Sequence, residues 1–168
     1  TALGPSGAFE LAAEPTVGDP VARFRLRLDG QLVEISGGSL TTGTWHHVVA
    51  TWDGATVRLF VDGAQVDSGA GVGSIVVDGP TPAVLGAAPD GSRALDGILG
   101  QVGVRASASS AEEVAFAAAN LLDPAATVVA GPATTGTWFD QGTWGERRPL
   151  GVESDLVAGP LTDYPLLV

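Results

Sequence analysis

Six Asp-Gly pairs, at 29–30, 53–54, 62–63, 78–79, 90–91 and 96–97, cut much of this 168-residue chain into short apolar runs. A two-residue type I′ corner needs positive φ at both central positions, and Asp-Gly between apolar runs is therefore a strong hairpin signal. Many tight corners at short spacing predict an all-β antiparallel sandwich. The most explicit stretch runs from Gly43 to Gly63. Strands Trp45 to Trp52 and Thr56 to Val61 meet at Asp53-Gly54, and Asp62-Gly63 closes the unit. Both runs are rich in residues that suit a pleated, half-buried surface. Trp45 is expected to be the first buried anchor of its strand, so Trp45→Ala should cost roughly 3–5 kcal/mol.

Upstream, Phe9 to Ala13 is an expected edge strand. Val21 to Leu28 alternates, with Phe24, Leu26 and Leu28 toward a core and Arg23, Arg25 and Arg27 toward water. Asp29-Gly30 returns the chain through Gln31 to Ile35, which Gly37-Gly38 ends. Downstream come short runs, Gln65 to Asp67, Ser74 to Val77 and Ala83 to Leu85, then an alternating strand from Ile98 to Arg105. One helix is predicted. Ser110 stands three residues before Glu113, a capping box, and Val114, Ala117, Ala118 and Leu121 recur at helical spacing until Asp123-Pro124. It should lie across one edge of the sandwich, with Thr127 to Ala130 and Thr137 to Phe139 as candidates to close that edge.

The expected division is a sandwich over 1–130 and an extension over 131–168. The extension carries Leu150, Val152, Leu156, Val157, Leu161, Tyr164, Leu166, Leu167 and Val168, so it is expected to pack on its own domain or on a partner. Thr134-Thr135-Gly136-Thr137-Trp138 also repeats Thr41-Thr42-Gly43-Thr44-Trp45 residue for residue.

Charge and composition exclude several functions. Nineteen acids face eight arginines and no lysine, for a formal net charge of −11. Nucleic-acid binding relies on cations that neutralise phosphates, and anionic membranes attract polybasic segments; neither fits. No apolar run approaches the ~20 residues of a membrane helix. Without cysteine there is neither a disulfide nor a thiolate metal site. The chain opens on Thr1, a small residue of the kind left after initiator-methionine removal, which suits a whole gene product; a trimmed or secreted piece is the other reading.

The hairpin, Gly43-Thr44-Trp45-His46-His47-Val48-Val49-Ala50, then Asp53-Gly54, then Leu59-Phe60-Val61-Asp62-Gly63, resembles the centre of laminin-G-like (LamG, concanavalin A-like) jelly-roll domains. The matching signature is Trp45, His46, Asp53, Gly54, Asp62 and Gly63. Leu95-Asp96-Gly97-Ile98-Leu99-Gly100-Gln101-Val102-Gly103-Val104, followed by Ser110-Ala111-Glu112-Glu113-Val114, is similar to the strand and helix that end such domains. The family's acidic pair falls on Gly100 and Gln101. The resemblance spans roughly residues 21–122 and implies a jelly-roll β-sandwich with one short helix and a C-terminal extension.

Candidate chemistry is sparse. His46 and His47 are adjacent, so on a strand they face opposite sides and do not share a metal. Catalysis is not expected: there is no Gly-x-Ser-x-Gly elbow, and no strand carries the alternating acids that set a glycosidase's carboxylate pair ~5–9.5 Å apart. Glu34 stands alone. No cofactor is required, but the resemblance implies calcium at a loop rim, with Asp78, Asp90 and Asp96 as candidate ligands; each also serves as the Asp of an Asp-Gly turn. Trp138, Trp144 and Arg147 are candidate ligand-binding residues for a glycan, with core or interface anchoring as the alternative.

Two functions remain. The first is a non-catalytic structural or interaction module displayed on a larger assembly. It is similar to proteins of tailed-phage virions, which implies capsid decoration or a tail-surface role with a major capsid or tail protein as partner. The second is a carbohydrate-binding module of a secreted or cell-surface protein, using rim loops and calcium. A homo-oligomer is compatible with both.

Overall fold

A computed structural model describes residues 7–76, 83–130 and 150–152 of the chain. Two three-stranded antiparallel sheets form a sandwich. The first is β1 (Phe9–Glu14), β2 (Val21–Leu28) and β3 (Gln31–Ser39), in that order. The second is β4 (Val48–Trp52), β5 (Thr56–Val61) and β6 (Ala64–Ala70). A helix, α1 (Ala111–Leu122), a short turn of helix, α2 (Pro124–Thr127), and a two-stranded ribbon of β7 (Val128–Ala130) with β8 (Leu150–Val152) follow.

Alternation decides which side chains go inside. Ala22, Phe24, Leu26 and Leu28 of β2 and Ile35 of β3 meet Val57, Leu59 and Val61 of β5 in one buried cluster. Trp52 packs against it, half-buried, and its indole N–H donates to Gly71 O at 2.6 Å, so the ring carries no orphan donor. The layers approach most closely where β3 crosses β5 and β6. Gly38 has φ +71, and a Cβ there would lie 2.5 Å from Val61 Cγ2, so the position demands glycine twice over. Next to it the Ser36 N–H donates to Asp67 Oδ2 at 2.9 Å, so a carboxylate caps an outward N–H at this edge of β3.

The three corners are of two kinds. Asp29-Gly30 and Asp62-Gly63 both have positive φ at each residue, as type I′ corners require. At Asp53-Gly54 only Gly54 is left-handed, and the connection is three residues long. There Asp53 Oδ1 accepts the Ala55 and Thr56 N–H groups at 2.9 and 2.8 Å, so the side chain shapes the turn.

The helix follows its capping signal. Ser110 Oγ accepts the Glu113 N–H, and the Ser110 N–H donates to Glu113 Oε2 at 2.7 Å. Val114, Phe116, Ala118 and Asn120 are buried. The helix seats on the β5–β6 corner, where a Cβ on Gly63 would come within 3.1 Å of Ala115 Cα and Ala118 Cβ.

Five expectations are corrected. β3 does not end at Gly37-Gly38 but runs through both glycines to Ser39, paired with Val21 and Ala22 of β2. Ile98 to Arg105 forms no strand, and Ile98 and Val104 are exposed; Gly97, Gly100 and Gly103 remove the side chains a strand packs and raise the entropy of ordering it. Ala83 to Leu85 is irregular too. Trp45 is not a buried anchor: it is 60% exposed, because the sheet begins only at Val48 and the residues before it are committed to a turn. The arginine face of β2 does not meet water, since Arg23 and Arg25 are buried under acids from the flanking strands.

Candidate functional site

The register of the first sheet lines Glu10 of β1, Arg25 of β2 and Glu34 of β3 in one transverse row. Arg25 Nε donates to Glu34 Oε2 and its Nη1 to Glu10 Oε2 at 3.3 Å. Arg93, from a loop distant in sequence, donates to Glu10 Oε1 at 2.6 Å, and Arg23 pairs with Glu14. Glu34 is therefore not alone. Sequence reasoning missed the row because these residues are distant in the chain, and only strand register brings them side by side. Burial raises the Glu10 pKa, but the hydrogen bonds and charges of Arg93 and Arg25 outweigh it, and the carboxyl ends below its ordinary range. A general acid needs a raised pKa, so Glu10 does not suit that role.

A second constellation surrounds Asp62, whose backbone is left-handed. Asp62 Oδ1 accepts the His47 N–H at 2.9 Å, Oδ2 takes His46 Nδ1 at 2.7 Å, and the Asp62 N–H donates to His47 O at 2.8 Å. His46 Nε2 lies 3.3 Å from Thr41 O, and the Thr44 N–H closes the turn on Thr41 O at 3.2 Å. Thr41 Oγ1 donates to Asp19 Oδ2 at 3.2 Å. Behind the turn, His47 is partly buried with Nδ1 unpartnered; burial pushes its pKa down, against the attraction of Asp62.

The rim acids stand as follows. Asp90 Oδ1 accepts both the Ser92 N–H and the Ser92 hydroxyl, at 2.9 and 2.6 Å, and these bonds lower its pKa. Asp96 lies in the irregular, exposed segment six residues on. Among the described residues no group of three His, Asp or Glu side chains gathers as metal ligands would. Asp78, Trp138, Trp144 and Arg147 lie outside the described residues. Asp53 is held well below the usual carboxylate range, by Arg58 first and then by the Thr56 and Ala55 N–H groups.

Large apolar side chains are exposed along residues 84–104: Leu85, Leu95, Ile98, Leu99, Val102 and Val104. Phe9 and Leu11, on the inward face of β1, are also about half exposed, because β5 and β6 lie against β2 and β3 and leave β1 uncovered among the described residues.

A family model described as the concanavalin A-like lectin/glucanases superfamily, laminin-G type, matches residues 5–115. No curated protein matches the chain. Among solved structures, an S-layer domain-containing protein (residues 221–444) from Clostridium thermocellum ATCC 27405 is similar at 24% identity with a TM-score of 0.36. That alignment covers 60% of this chain and 52% of the other, so the chain spans about half the length of that structure.

Proposed function

The chain belongs to the laminin-G-type family of the concanavalin A-like lectin/glucanases superfamily, and we propose that it is a non-catalytic interaction module displayed on the surface of a larger assembly. The observation that carries this reading is the band of exposed apolar side chains at 84–104, in a chain whose formal net charge is −11. So many large apolar side chains exposed along one segment of an acidic chain suit a protein partner, whereas a single exposed residue would call for no explanation. The non-catalytic part rests on the Glu10–Arg25–Glu34 row. The acids that do come together share an arginine between them and so oppose the roles a hydrolase assigns to a carboxylate pair.

As the assembly we propose a phage virion, with a major capsid or tail protein as the partner. The support is the likeness to virion-surface proteins noted from the sequence; a cell surface is the other setting. Co-expression with the capsid and tail proteins of neighbouring genes tests it. Co-purification that is lost in an Ile98→Ser/Val104→Ser variant of unchanged thermal midpoint is the expected result. Release of reducing ends from any polysaccharide by the purified chain would overturn the non-catalytic reading.

A further inference from the structure

Resting on the reading of the chain as an interaction module, we propose that the open flank between β1 and β4 is a slot for one extended strand of the partner protein. That strand pairs with the free edge of β4 and lays alternate apolar side chains on Phe9 and Leu11. The edge is defined by two bonds, from the Asp62 N–H to His47 O and from the Asp53 N–H to Thr56 O. With the register Val48↔Val61 to Trp52↔Val57 between them, they set His47, Val49, Thr51 and Asp53 as the residues that bond to β5. Bonding alternates along an antiparallel strand, so the N–H and C=O groups of Val48, Ala50 and Trp52 point away from β5. Among the described residues nothing pairs with them. Native edges are blunted by charge, proline or a bulge, and Val48-Val49-Ala50-Thr51-Trp52 carries none of these.

The facing layer is short of a neighbour at the same place. β3 lies against β5 and β6, and β2 against β5, so β1 overhangs the strip beyond β4. A strand set ~4.8 Å beyond β4 would face β1 across the ~10 Å between layers. Phe9 and Leu11 share the inward face with their partners Leu26 and Phe24, yet are 50% and 44% exposed. One extended segment relieves both shortages, with backbone bonds for affinity and alternate side chains for selectivity. The exposed apolar segment frames the slot, since Arg93 is held at Glu10 of β1 while Gly100 abuts the Trp45 ring just before β4. Among the described residues no backbone hydrogen bond joins that segment to β4. A guest strand with basic ends suits a chain of net charge −11.

The probe is a short peptide of alternating valine and threonine with a lysine at each end, added to the full chain and followed by amide hydrogen exchange. The Val48, Ala50 and Trp52 amides should exchange freely in the chain alone and slow by about tenfold or more with peptide. A peptide N-methylated at alternate residues should bind about tenfold or more weakly, having lost its donors. Ala50→Pro removes one outward N–H and no bond to β5, and should weaken binding similarly. Phe9→Ser/Leu11→Ser, two half-exposed positions, should weaken it by roughly threefold or more. Should Ala50→Pro fail to fold, the N-methylated peptide and the Phe9/Leu11 variant decide. Slow exchange of the three amides in the chain alone would show the edge already filled, by this chain or by a second copy, and overturns the proposal. So does the absence of saturable binding, or binding indifferent to N-methylation and to these substitutions. Co-purification with a capsid or tail protein that survives Ala50→Pro leaves the module reading standing while this slot falls; peptide binding without any such co-purification does the reverse.

Discussion

Asp62 sits in the left-handed region at φ +52, and that backbone aims its carboxylate at the two histidines preceding β4. Replacing it by alanine leaves the His47 N–H and the His46 ring without their acceptor and removes the short polar side chain that makes a left-handed backbone tolerable. Asp62→Ala should therefore lose roughly 2–3 kcal/mol in urea denaturation, and Asp62→Asn distinctly less. His47 gives a pH signature of known sign. Its folded pKa lies below the ordinary histidine value of 6.5, so below pH 6.5 the unfolded chain binds the proton more readily. That contribution is complete above pH 6.5 and fades as pH falls toward the folded value. A urea midpoint lower at pH 5.5 than at 7.5, with a shallower drop in His47→Asn, is the expected outcome. The sequence placed Trp45 in the core because a tryptophan opening an alternating run usually anchors it; what it could not display was the competing demand of the Thr41–Asp62 bonds, which delay the sheet to Val48.

Between elements, alternation was enough to locate β1, β2, β4 and β5 within a few residues, and the capping box located α1. Alternation says which residues share a face, but not which strand lies alongside, so the Glu10–Arg25–Glu34 row stayed invisible until register was known. The same ignorance misplaced Arg23 and Arg25 in water. Arg25→Ala would remove the cation that two acids share and leave them facing each other. Since Glu34 is only partly covered, the loss should be roughly 3 kcal/mol or less by chemical denaturation, below that of a fully buried pair. Ile98 to Arg105 shows the converse error: the alternation is real, yet three evenly spaced glycines deny the segment enough side chain to hold a place in a sheet.

Across the whole molecule, an excess of eleven negative charges works against compactness, and added salt screens it. The thermal midpoint should rise between about 10 and 150 mM NaCl, where the Debye length shrinks from ~30 to ~8 Å. The Arg25→Ala variant, with one more unbalanced acid, should show the steeper rise. The two flanks of the sandwich are unequal. On one, β3 and β6 abut, and Asp67 plugs an outward N–H of β3. On the other, β1 and β4 each have a strand on one side only among the described residues. Fibre growth by strand addition requires a sticky rim at both ends of every subunit, so that each newcomer can recruit the next. With one rim plugged by a carboxylate, self-pairing of these two sheets through the other rim would stop at two chains, giving capped couples rather than filaments.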